Sequence, residues 1–171
     1  MQIRLSSPLQ SDSVVDGEGI RTVIWTQGCP HHCPFCHNPE THSFKGGFLK
    51  DVSELIEEIR DLELQDGITF SGGDPMMQTK ECTMIAKACK EMGYNIWCYT
   101  GFLFEDLLDN DDRREFLNYI DVLVDGKFEL DKKSYAAKFR GSTNQRLINV
   151  KASLKKNKAV VFRKYNTKIN S

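Results

Sequence analysis

The sequence predicts an α/β protein, a partial and open TIM-like (β/α) barrel of parallel strands, and three observations carry that reading. Short apolar, β-branched runs alternate with stretches of helical periodicity, and the connections between them are short. The chain has 171 residues, whereas a full eight-fold barrel takes about 250. Parallel βαβ units with right-handed crossovers are therefore expected to build only part of a barrel, open along one side. A length of this order suits a single domain, read here as residues 1–171.

The elements follow in order. Ile20 to Thr26 (IRTVIWT) is a β-branched and aromatic run ending at Gly28, which reads as the first strand. Asp51, with Glu54 three residues on, resembles the start of a capping box, and Val52, Leu55, Ile56, Ile59 and Leu62 then form one apolar helical stripe. GITFSGG, Gly67 to Gly73, is the second strand. In TKECTMIAKACKEMG, Cys82, Ile85, Ala86 and Cys89 recur at helical spacing and are expected in the core. Asn95 to Thr100 is the third strand, and its Cys98 also reads as core. A helical region from about Phe102 to Asn118 precedes Tyr119 to Phe128 (YIDVLVDGKF), a strand ending in a charged turn. Weaker strands follow at Arg146 to Val150 and Ala159 to Phe162. No internal repeat, low-complexity tract or linker interrupts the pattern.

Composition narrows the function. A formal net charge of −1, with 40% hydrophobic and 27% charged residues, leaves no basic excess to favour a nucleic-acid backbone. No apolar run approaches the roughly 20 residues of a membrane span, and the start MQIRLSSPLQ lacks the apolar stretch of a secretory signal. A cytoplasmic protein without nucleic-acid or membrane partners is expected. Its six cysteines then read as metal ligands, catalytic groups or core rather than disulfides.

The unusual residues fall at strand ends. GCPHHCPFC follows the first strand, SGGDP the second, YTG the third and DGK the fourth, so all four segments should meet at the C-terminal rim, where barrels of this type place their sites. Cys29, Cys33 and Cys36 lie within eight residues, amid His31, His32, His37 and His42. One reading is a structural zinc site with His37 or His42 as fourth ligand, although such sites usually draw on two separated pairs. The other is a 4Fe-4S cluster, which four thiolates normally hold, so that three leave one iron open to a non-protein ligand. An open iron can take the amino and carboxylate groups of an amino-acid-like molecule. Ser71, Gly72, Gly73 and Asp74 offer carbonyls and a carboxylate to an ammonium, and Asp125 and Lys127 put a carboxylate and an ammonium at the fourth strand end. Taken singly, each of these segments also reads as an ordinary turn or a solvated pair.

CPHHCPFC resembles the CxxxCxxC signature of radical S-adenosylmethionine (SAM) enzymes, and SGGDP resembles their GGE motif with Asp74 in place of Glu. DGEGIRT, Asp16 to Thr22, is similar to the glycyl-radical activating enzymes. The short length, SGGDP, VDGKF and RGSTNQRLINV (Arg140 to Val150) are most similar to the activating proteins of anaerobic ribonucleoside-triphosphate reductase, over about residues 14 to 162.

The resemblance implies that Cys29, Cys33 and Cys36 hold a 4Fe-4S cluster and that SAM is the second cofactor. It implies that Phe35, Cys36 and His37 border the SAM adenine. Ser71, Gly72, Gly73 and Asp74 would hold the methionine amino group, and Thr100 joins the cofactor-binding set. Asp125 and Lys127 are similar to a DxK segment that contacts SAM in the pyruvate formate-lyase activating enzyme. That relative also carries an acidic residue beside its third-strand threonine, where this chain has Tyr99 before Thr100.

The implied activity is reductive cleavage of SAM to methionine and a 5'-deoxyadenosyl radical, which takes a hydrogen from a glycine of the large anaerobic ribonucleotide reductase subunit. Flavodoxin or ferredoxin is the expected electron donor. The alternatives within the same chemistry are an enzyme acting on a small molecule, like the carboxy-deazaguanine synthases, and an activase of another glycyl-radical enzyme such as pyruvate formate-lyase. Arg140 or Asn144 is expected in partner docking or loop order, whereas His31, His32 and His42 are expected only to shape the cysteine loop.

Overall fold

The computed structural model describes residues 1–165. The expected domain of residues 1–171 extends past this, and residues 166–171 lie outside the described part. The chain runs β1 (Gln2–Leu5), β2 (Gln10–Ser13), β3 (Arg21–Thr26), β4 (Phe48–Asp51), α1 (Val52–Arg60), β5 (Gly67–Gly72), α2 (Thr79–Glu91), β6 (Asn95–Tyr99), α3 (Phe104–Leu107), α4 (Asp111–Leu117), β7 (Val122–Asp125), β8 (Arg146–Asn149) and α5 (Val150–Lys156).

One sheet orders these strands β4-β1-β3-β5-β6-β7-β8, with β2 paired to β3 off that path. The pairs β3·β5, β5·β6 and β6·β7 are parallel, which gives the four expected βα strands side by side. The sheet does not close, and the architecture is the expected open, partial barrel. None of the described helices is long and apolar enough to cross a membrane.

One register row explains the core. Ile24 pairs with Phe70, Phe70 with Cys98, Cys98 with Leu123 and Leu123 with Ile148, and none of the five retains exposed surface. Because side chains alternate across a strand, this row lies on the face that meets the helices. There it packs with Leu55 and Ile59 of α1, Cys82, Ile85, Ala86 and Cys89 of α2, Phe116 and Leu117 of α4, and Val150 of α5. The helical stripes read from spacing thus fall on the core, and Cys82, Cys89 and Cys98 are core hydrophobes. Burial pushes all three thiols up, Cys89 to about 12. On the other face Trp97, Val122, Val124 and Leu147 pack with Tyr165 and the half-buried Phe139 and Phe162.

The edges depart from the expectation. β1, β2 and β4 are additional strands, antiparallel to their partners. β8 also runs antiparallel to β7, so the βα alternation ends at the fourth unit. Ala159 to Phe162 makes a single bridge, Val161 to Ile148, rather than a strand. The region Phe102 to Asn118 divides into α3 and α4, because the Asn110 side chain accepts the Arg113 N–H at 3.0 Å and starts a second helix. Asp51 caps α1 as expected, accepting from the Ser53 and Glu54 N–H groups at 2.9 and 3.3 Å. Glu54 sits 3.9 Å from Lys50.

The buried Asp125 carboxylate closes the β7 end. It accepts the Phe104 N–H at 2.8 Å and two Arg146 bonds at 2.9 and 2.5 Å, while Arg146 also forks onto Glu105 at 3.1 and 2.8 Å. Arg146 holds the Glu105 carboxyl below the usual range, and its own guanidinium is raised chiefly by its bond to Asp125. Removing one member of such a pair strands a buried charge. Arg146→Met is expected to lower the unfolding free energy of the cluster-free chain by about 3–5 kcal/mol in urea titration.

Candidate functional site

The cysteine loop is clamped at its base. Gly28 N–H donates to Thr41 O at 2.7 Å and Cys29 N–H to His42 O at 3.0 Å, so the two feet of the loop bond to each other. The same base is tied to the end of β5, where Gly73 N–H donates to Thr26 O at 2.9 Å and Asp74 N–H to Gly28 O at 2.8 Å.

This approach demands the two glycines of SGGD. Gly72 has φ +108°, and a Cβ there would lie 2.3 Å from Thr26 O; at Gly73 it would lie 2.4 Å from Gly28 O. Only a residue without a side chain lets the two backbones meet so closely.

Asp74 is 1% exposed and works as a hub. Its carboxylate accepts Met76 N–H at 3.0 Å, the Thr100 hydroxyl at 2.9 Å and Gly101 N–H at 2.9 Å, and it meets His31 Nε2 at 2.6 Å. Segments from three strand ends, after β3, β5 and β6, therefore converge on one carboxylate, as the rim argument expected. The carboxylate that the sequence offered to an ammonium thus already has protein donors around it. His31 reaches across the rim from its loop to this carboxylate, a contact that nothing in the spacing of the motifs signals.

The fourth segment joins through Cys33. Burial raises this thiol, while Phe128 N–H and the Lys127 ammonium act in the opposite direction, which puts the DGK turn beside the cysteine loop. Asn144 Nδ2 donates to Lys127 O at 2.8 Å and Gln145 Nε2 to Gly126 O at 3.0 Å, while Arg140 Nη1 donates to Gln145 O at 2.7 Å. The segment Arg140 to Arg146 therefore orders this turn, one of the two roles expected of it. Between the cysteine loop and the turn lies a cavity of about 730 Å³, bordered by His31, Cys33, Phe102, Lys127, Phe128 and Asn144.

The remaining expected residues are spread around this space. His37 stands edge-on to Phe128 with ring centroids 5.0 Å apart. Phe35 has φ 56° and is 76% exposed. Asp125 is occupied by Arg146 and Phe104 below the rim, whereas Lys127 lies exposed on it.

Cys29, Cys33 and Cys36 are free thiols on one loop. Among the described residues no three His, Cys, Asp or Glu side chains are gathered into a ready coordination group. The donor set nevertheless fits an iron-sulfur cluster: three thiols on a loop fixed at its base, of which Cys33 borders the rim cavity. Burial pushes the Cys29 thiol up to about 11, a shift that coordination to a metal would oppose.

A family model described as "4Fe-4S single cluster domain" matches residues 15–148. Proteins named anaerobic ribonucleoside-triphosphate reductase-activating protein are similar along most of the chain. The one from Pasteurella multocida is 33% identical over 141 residues, covering 77% of this chain and 89% of that one. That of Escherichia coli is 34% identical over 141 residues, covering 77% and 90%, and that of Enterobacteria phage T4 is 36% identical over 140 residues, covering 78% and 86%. Among solved structures, QueE from Escherichia coli aligns over 58% of this chain and 52% of its own, with a TM-score of 0.50 and 15% identity, a likeness of fold alone. The chain thus belongs, within the 4Fe-4S single-cluster class, to the family of anaerobic ribonucleoside-triphosphate reductase-activating proteins.

Two outcomes follow. Gly72→Ala is expected to destabilise the cluster-free chain by about 2–4 kcal/mol, the sum of a strained left-handed residue and a backbone clash, read by urea unfolding. In the same cluster-free protein, alkylation of Cys29 by iodoacetamide should stay slow at pH 8 and climb toward pH 11, because the folded thiol holds its proton at pH 8 and gives it up only as the pH nears 11; peptide mass spectrometry measures it.

Proposed function

We propose that this chain is a radical SAM activase whose protein substrate is the large subunit of anaerobic ribonucleoside-triphosphate reductase, as the names of its relatives suggest. The observation that supports it most directly is the set of three thiols, the other three cysteines being buried in the core, on a loop bonded at its base to the Gly73–Asp74 turn. Cys29, Cys33 and Cys36 would hold the 4Fe-4S cluster. When bound, that cluster would supply the electron for reductive cleavage of SAM, the chemistry that would generate a glycyl radical on the reductase.

The chain's own residues would bind and orient. Backbone groups of Ser71 to Gly73 would face the methionine amino group, close to the cysteine loop because both glycines admit that approach. Lys127, exposed on the cavity border, is suited to the methionine carboxylate. Phe35, Cys36 and His37 would flank the adenine, His37 braced by Phe128. Thr100 and Asp74 would act by holding the rim together. Asp125 would set the DGK turn from beneath through Arg146 and Phe104.

The barrel's open side suits a protein substrate, since a loop carrying the target glycine needs a path to the adenosyl carbon, and docking of the partner would exclude water from the radical. A flavodoxin or ferredoxin would supply the electron.

The test is anaerobic reconstitution followed by dithionite reduction. The expected result is a brown protein with about four irons that cleaves SAM, and an EPR glycyl radical signal that appears only when the purified reductase is added. Cys36→Ala should abolish SAM cleavage. A mutant that still cleaved SAM would refute the cluster assignment, and cleavage without a glycyl signal would favour a small-molecule substrate.

A further inference from the structure

One side chain crosses from the cysteine loop to the strand ends. His31, midway between Cys29 and Cys33, places Nε2 2.6 Å from Asp74 Oδ2, and the two side chains are 7% and 0% exposed. The ring is held on its other sides. It lies edge-on to Phe102 with centroids 4.5 Å apart, and Gly101 packs so close that a Cβ there would come within 2.5 Å of the imidazole. Phe102 is itself covered by the Arg113 guanidinium at 4.2 Å, and Arg113 Nε donates to Met76 O at 3.2 Å.

The same carboxylate takes Thr100 and Gly101, so the imidazole is registered against the ends of β5 and β6 together. His32, next along the chain, has φ 50°, a left-handed turn that sends the chain away once the ring is seated. The loop's backbone bonds, by contrast, lie mainly at its feet, Gly28 to Thr41 and Cys29 to His42.

We propose that His31 is a positioning residue for SAM: its bond to Asp74 sets the stance of the cysteine loop relative to the Ser71 to Gly73 turn, and so the match between the cluster and the amino-acid end of the cofactor. The inference rests on the radical SAM reading above. Asp74, with its donors supplied by the protein, serves as the receiving end of this brace. Asp in place of Glu fits that role, since the shorter side chain keeps the carboxylate against Thr100 and Gly101.

The test compares His31→Gln, whose amide nitrogen can reach the position of Nε2, with His31→Asn, whose amide stops short. Iron content and the EPR spectrum of the dithionite-reduced cluster are recorded against SAM concentration, without the reductase. Both variants should carry the wild-type iron content. In His31→Asn the SAM concentration that half-completes the spectral change should rise by about tenfold, the effect of losing one hydrogen bond to a charged group, whereas His31→Gln should stay within roughly threefold of wild type.

Three results would overturn the proposal: a wild-type titration in His31→Asn, equal impairment of both variants, or loss of iron confined to His31→Asn, which would make the bond a means of retaining the cluster instead. If the wild-type cluster itself gave no spectral response to SAM, the radical SAM reading would fall, and the brace would fall with it.

Discussion

The arrangement of the rim depends on one buried carboxylate. Asp74 cannot be solvated at 1% exposure, so its charge must be met by protein donors, and those donors come from three different segments of the chain. Meeting that requirement fixes where β5 ends, where the Thr100 to Phe102 turn lies and where the cysteine loop leans. Glycine carries the other half of the constraint. Gly72 and Gly73 bring the SGGD backbone against Thr26 and Gly28, and without that approach the Asp74 N–H could not reach Gly28 O at 2.8 Å. The loop and the turn are thus a single hydrogen-bonded unit before any cofactor is considered.

A second buried carboxylate organises the other flank in a different way. Asp125 is balanced by the full charge of Arg146, which comes from the antiparallel β8, and by one backbone N–H at the start of α3. This pairing ties the antiparallel β8 to the end of β7. β8 is held against β7 by its register and by this ion pair, and the polar segment Arg140 to Gln145 then folds over the DGK turn to order it.

The legible parts of the sequence were those where periodicity and burial coincide. The four parallel strands and the stripes of α1 and α2 were readable because apolar residues recur at spacings that a single buried face requires. The convergence of four motifs was readable because a parallel sheet sends every strand end to one rim. The antiparallel edge was not. β2 is QSDS, with little β propensity, and becomes a strand by pairing with β3, while β1 and β4 are four residues each and pair mainly with one another. Roles of individual polar residues were the least legible. Asp125 and Lys127 sit two apart, yet one is a buried partner of Arg146 and the other lies exposed on the rim, a difference set by β8 and invisible in VDGKF. His31 and His32 are adjacent and chemically identical, but the left-handed backbone at His32 leaves only His31 directed at Asp74.

An open barrel must also decide what to do with its inner face, and this chain treats its two ends differently. Toward β7 and β8 the inner face is packed with aromatics: Trp97 meets Phe139 and Tyr165 at centroid distances of 5.2 and 6.1 Å, and the Tyr99 hydroxyl donates to Phe139 O at 2.7 Å. Deeper still, Arg21 is 1% exposed, lies 5.4 Å from the Trp97 ring and spends its guanidinium on Thr69, Ile68, Glu18 and Asn95. The guanidinium finds its partners in neutral oxygens, and burial lowers it to about 10. That part of the barrel is filled by these buried side chains. Hollow space begins above it, at the strand ends, where the Gly101 and Gly126 turns leave the cavity beside Cys33 and Lys127. The filled floor thus sets this cavity at the rim, beside the Cys33 end of the cysteine loop.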